Sequence, residues 1–108
     1  MIKIDRDTME EALNRLAETS EEAAVAKSLV EGLKQKGKTV KAMGFISADG
    51  TVAERDAKSL SSKEFREWND ELENAVADSE TYENKRKVDE LIVRTYQTIS
   101  ANLRATNV

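Results

Sequence analysis

From Ser61 to about Thr106 the chain runs without a glycine or a proline, and apolar residues recur through it at spacings of three and four. Phe65, Trp68, Leu72, Ala75, Val76, Tyr82, Val88, Leu91, Ile92, Tyr96, Ile99 and Leu103 form a stripe that drifts slowly around a helix. The pattern predicts one long amphipathic helix. At the α-helical rise it would extend roughly 65–70 Å, longer than a domain of this size is wide. Such a helix cannot cover its own apolar stripe, so the rest of the chain, or another copy, must do so.

A chain of 108 residues has material for one core, and a single helical domain over 1–108 is expected. Charged residues make up 35% and aromatics 5%, so that core is thin. The absence of proline beside abundant Ala, Glu, Lys, Leu and Arg is the composition of long-helix and coiled-coil proteins. A net charge of −4 gives no general attraction to nucleic acid or membrane. With no Cys and no His, disulfides, thiol chemistry, imidazole bases and ordinary structural zinc sites are excluded. Charges return too early in Met1-Ile2-Lys3-Ile4-Asp5-Arg6-Asp7 for a secretory signal, and no window approaches the ~20 apolar residues of a membrane span. A soluble cytoplasmic protein is therefore expected.

Upstream of the long helix, Asp5 or Asp7 can cap a short helix over about residues 6–17, with Met9, Ala12, Leu13, Leu16 and Ala17 as its apolar face. Thr19 and Glu22 have capping-box spacing, which predicts a bend and a new helix from Ser20. Between Thr39 and Arg55 two readings compete. Asp49-Gly50 suits a hairpin turn between two strands. Against this, Leu33 and Val40 are one heptad apart and Leu29 and Met43 two, so the stripe crosses Gly37 in register. Phase favours a helix to about Ser47, with Gly37 and Gly44 as small residues that admit a close neighbour. Ala48-Asp49-Gly50-Thr51 then reverses the chain. Thr51-Val52-Ala53-Glu54 opens a short helix to about Lys58, and Ser61 caps the long one. The expected fold is all-α: a long antiparallel, coiled-coil-like helical hairpin with a short N-terminal helix.

No catalytic constellation assembles from these residues, and no enzyme activity, cofactor or metal is expected. Glu67, Asp70, Glu71 and Glu73 cluster on the long helix, but they sit between apolar positions on a solvated face, without the cleft that separates two carboxylate pKa values. A di-metal bundle would need Glu-x-x-His pairs. Gly32, Gly37, Lys38 and Thr39 match the bare phosphate-loop spacing, yet Ala23 to Glu31 reads as helix where a buried strand is required. Two basic groups, Lys34, Lys38 and Lys41, and Lys85, Arg86, Lys87, Arg94 and Arg104, could contact phosphate. They equally balance acidic neighbours along a helical seam. The arm over 20–47 spans only about 42 Å, which leaves Val88, Leu91, Ile92, Tyr96, Ile99 and Leu103 for an oligomer interface.

The stretches Ala23-Ala24-Val25-Ala26-Lys27 to Lys41, Thr51 to Ala57, and Lys85 to Arg104 resemble a group of small helical proteins encoded by bacteriophages and prophages. Relatives in that group tend to carry tryptophan at the position of Tyr96. The resemblance implies a phage accessory protein in a bacterial host, encoded among early or recombination genes. Together with the stripe, it leads to the expectation of a protein-binding homo-oligomer, a dimer first, acting on an unidentified host or phage protein. A small nucleic-acid-binding factor of a recombination module is the alternative.

Overall fold

The computed structural model describes residues 3–106. Three helices follow one another, α1 (Arg6–Ser47), α2 (Val52–Leu60) and α3 (Lys63–Thr106), and the described residues contain no strand. None of these helices is long and apolar enough to cross a membrane.

Asp5 caps α1. Its Oδ1 accepts the Thr8 backbone N–H at 2.9 Å and the Thr8 hydroxyl at 2.8 Å, which satisfies donors left open by the first turn. The predicted break near Thr19-Ser20 does not occur, and the short N-terminal helix is simply the first part of α1. The Thr19 hydroxyl donates back to Arg15 O at 2.7 Å, an intrahelical bond that removes the need for a cap. The glutamate of the supposed box, Glu22, instead accepts from the Tyr82 hydroxyl at 3.2 Å.

Residues 39–47 are helical, as the register of the stripe across Gly37 requires. Gly50, at φ +115°, makes the reversal. Thr51 caps α2 by accepting the Glu54 N–H at 3.2 Å, as its spacing predicts. At the start of α3 the cap lies one residue later than expected. Ser62 Oγ accepts the Phe65 N–H at 3.2 Å, because Ser61 is occupied in closing α2 with its N–H and hydroxyl on Ala57 O.

The chain divides into two compact units, Ala24–Ser79 and Met1–Ala23 with Glu80–Val108. In each, α1 and α3 run antiparallel. Within Ala24–Ser79 the core is Val30, Leu33 and Ala75, with Trp68, Leu72 and Val76 packed on it. Burying Val30 and Leu33 is worth about 1.5–3 kcal/mol each before entropy. The Trp68 indole N–H donates to Leu33 O at 2.7 Å, and its ring lies directly on Gly37, where a Cβ would overlap it. At Gly44 the close neighbour is α2: Ser59, 1% exposed, donates its hydroxyl to Lys41 O at 2.7 Å. A Cβ on Gly44 would come within 2.6 Å of Ser59 Oγ.

In the other unit Ala12 is buried, and the cross-helix contacts pair Arg15 with Asp89, Thr19 with Arg86 and Glu22 with Tyr82. Numbers rise on one helix as they fall on the other. Because α1 is unbroken, it has 42 residues against 44 in α3. The short arm expected from the sequence is therefore corrected: α1 accompanies α3 back to Arg6, which the antiparallel pairing of Arg15 with Asp89 sets opposite about residue 98, so Val88 and Leu91 are exposed by rotation and only the last turns of α3, with Ile99 and Leu103, run past the start of α1.

Candidate functional site

The rotation is set by which positions are protected. On α1, residues 12, 16, 19, 23, 26, 30, 33, 37, 40 and 44 are shielded from solvent, alternating steps of four and three. On α3 the matching series is 65, 68, 72, 75, 79, 82, 86, 89, 93, 96 and 100. This is the heptad spacing of a coiled-coil seam. Its character changes along α3. Trp68, Leu72 and Ala75 are followed at the same phase by Ser79, Tyr82, Arg86 and Asp89.

These polar seam positions are satisfied by α1. Arg15 grips Asp89 with Nη2 at 2.8 Å and Nε at 3.1 Å from Oδ1, and Nε at 3.3 Å from Oδ2. The side chain of Asp89 is 10% exposed and that of Arg15 47%. The hydrogen bonds to Asp89, opposed by some desolvation, raise the Arg15 guanidinium above its ordinary value, so it stays charged. Arg86, half-buried, donates through Nη1 to Leu16 O and to Thr19 Oγ1, each at 2.8 Å. No buried side-chain nitrogen or oxygen among the described residues lacks a partner.

The apolar residues left uncovered fall in two places, Val88 and Leu91 on the face of α3 turned away from the seam, and Ile99 and Leu103 where α3 runs past the start of α1. Val88, Leu91, Ile99 and Leu103 are 57%, 58%, 41% and 59% exposed, and these are four of the six residues expected to form an oligomer interface. The other two are half-buried, Tyr96 as a member of the seam and Ile92 beside it. Composition did not reveal the polar cluster of Arg15, Thr19, Arg86 and Asp89. The four–three spacing of 82, 86, 89, 93 and 96 carries the signal, but it is visible only once Arg and Asp are admitted as seam residues.

Of the basic residues, Arg86 is spent on α1, and Lys34 lies 3.5 Å from Glu31. Lys38 and Lys41 are exposed on α1, and Lys85, Lys87, Arg94 and Arg104 on α3, none in an ion pair among the described residues. The acidic cluster is dispersed: Glu67 sits 3.6 Å from Lys63, Glu71 lies 3.7 Å from Lys36, and Glu73 accepts from Asn69 at 3.3 Å. Gly32 to Thr39 is helix throughout, with Gly37 under the Trp68 ring, so its amides form no phosphate cradle. Where α1, α2 and the start of α3 meet, an open cleft of about 550 Å³ is lined by Val40, Met43, Gly44, Lys58, Ser62 and Glu64, among others. Lys58 there donates to Asp49 O at 2.8 Å and so braces the turn.

The exposed features of the described residues are thus apolar side chains on α3, cations on both long helices and an open cleft within Ala24–Ser79. A scan against protein-family models, a search of curated proteins and a search of solved structures each returned no match for the chain.

Proposed function

We propose that this chain is a non-enzymatic accessory protein that binds protein surfaces and self-associates through the outer face of α3, as a dimer. The cytoplasm of a bacterial host is its setting in this reading, and an unidentified host or phage protein its further partner, as the resemblance to the phage helical group implies. The observation that carries the reading is the exposure of Val88 and Leu91 on the face of α3 turned away from a seam that Arg86 and Asp89 fill, continued by Ile99 and Leu103 where α3 runs past the start of α1. Covering each such side chain is worth about 1.5–3 kcal/mol before ordering costs, which favours a partner surface. Light scattering at micromolar concentration should report at least a dimer. The double variant Leu91→Glu, Ile99→Glu should be monomeric with unchanged helicity. A parent protein that stays monomeric at hundreds of micromolar defeats the reading.

Nucleic-acid binding is the second reading. It draws on Lys34, Lys38 and Lys41, spaced four and three along one exposed face of α1, two of them without an ion-pair partner. Phosphate neutralisation would give a DNA mobility shift that falls steeply with salt. Charge reversal at the three lysines should abolish that shift. No shift at low salt, or one unaffected by the reversals, removes this reading.

A further inference from the structure

Outside the seam, α3 carries a second series with the same four–three spacing. It runs through Thr81, Val88, Thr95 and Asn102 at one heptad position and Asn84, Leu91 and Thr98 at the other. None of the seven is charged, in a chain where 35% of residues are. All lie within the unit formed by Met1–Ala23 and Glu80–Val108. Val88 and Leu91, at its centre, are more than half exposed. The central heptad, Val88 with Leu91, has the β-branched and leucine pairing of a parallel two-stranded coiled coil, flanked by Thr81 and Thr95, and a single asparagine at the first position, here Asn102, fixes register in such pairs.

Flanking charges indicate the orientation. In a parallel, in-register pair the residue just before a first-position residue faces the partner residue five further on. Glu80 would then face Lys85 of a second copy, and by symmetry the reverse, giving two opposite-charge pairs. Neither residue forms an ion pair in its own chain among the described residues. The same geometry lays the methylene stems of Lys87 and Arg94 over Ile92 and Ile99 of the second copy. An antiparallel pair aligned by Asn84 on Asn102 would instead set Arg94 against itself. We infer that a second copy of this chain docks on the outer face of α3 as a parallel, in-register two-fold dimer, with Glu80 and Lys85 setting the orientation. This rests on the self-association reading above and adds to it the partner's identity and direction.

The chain contains no cysteine, so introduced thiols report without interference. Val88→Cys and Asn102→Cys, each alone in the full chain under mild oxidation, should form disulfide-linked dimers, since paired first positions lie within disulfide reach. Glu90→Cys, off the series, should not. Lys85→Glu should weaken the dimer by about three- to tenfold in sedimentation equilibrium, and adding Glu80→Lys should restore it. A dimer that cross-links only when Asn84→Cys is mixed with Asn102→Cys is antiparallel. It overturns this inference while leaving self-association intact. A dimer in which neither single-cysteine variant links also overturns it. A monomer at hundreds of micromolar overturns both readings.

Discussion

At Gly37 the backbone of α1 lies directly beneath the indole of Trp68, and the indole N–H is spent on Leu33 O. Adding a methyl group there gains about 1 kcal/mol of helix propensity. It also displaces the ring and breaks that bond, and overpacking of this kind costs about 1–3 kcal/mol beyond the lost hydrogen bond. Gly37→Ala should therefore destabilise the protein by about 1–3 kcal/mol in urea unfolding. Gly32, with open space where its Cβ would stand, behaves in the opposite way. Gly32→Ala should stabilise by about 0.5–1 kcal/mol. Asp5 gives the residue-scale pH dependence. Hydrogen bonds from the Thr8 amide and hydroxyl hold its carboxyl below the usual carboxylate value. A depressed folded-state pKa contributes stability that is present above the unfolded value, near 4, and is lost as pH falls through the folded one. The first turn of α1 should lose amide-exchange protection on acidification through that window, and Asp5→Ala should lose it at all pH values.

For the elements, caps and close approaches decide the boundaries. The cap of α3 is Ser62, so Ser62→Ala should cost about 0.5–2 kcal/mol. The measurement is again chemical unfolding, and a null effect would return the cap to Ser61. The short helix α2 cannot persist as nine isolated residues and depends on its contact with α1. That contact is narrow: Ser59 sits over Gly44, with its hydroxyl on Lys41 O. Gly44→Ala should lift α2 away and raise the exchange rates of its amides while leaving those of α1 and α3 near their parent values.

Across the whole molecule, two sets of apolar residues that look alike in sequence should respond differently to substitution. Leu33 is 8% exposed in the core of Ala24–Ser79, and Leu33→Ala should cost about 2–5 kcal/mol. Leu91, 58% exposed, should tolerate Leu91→Glu within about 0.5 kcal/mol for the isolated chain, while dimerisation measured by light scattering is lost. Much of the fold was legible because it rests on local signals. The absence of proline, the register across Gly37, the Thr51 cap and the Asp49-Gly50 reversal name an all-α antiparallel hairpin without reference to any tertiary contact. Local signals set the cap of α3 one residue early, at Ser61, and placed a boundary at Thr19 where there is none, because a threonine inside a helix and a threonine at its start have the same spacing to a following glutamate. The bonds Thr19 makes distinguish them, its hydroxyl donating to Arg15 O and accepting from Arg86. The candidate site was half legible. Val88, Leu91, Ile99 and Leu103 could be named as residues left uncovered, the last two because α3 outruns its cover, but that Val88 and Leu91 turn away from α1 could not. The sequence alone determines that α3 is helical and that its apolar residues recur at spacings of three and four in one drifting stripe. Which face meets α1 is decided by tertiary packing, where the Trp68 ring on Gly37 and the clasp of Arg15 on Asp89 fix the rotation, since a three–four repeat is satisfied equally at more than one rotation until a neighbouring helix supplies partners for one of them.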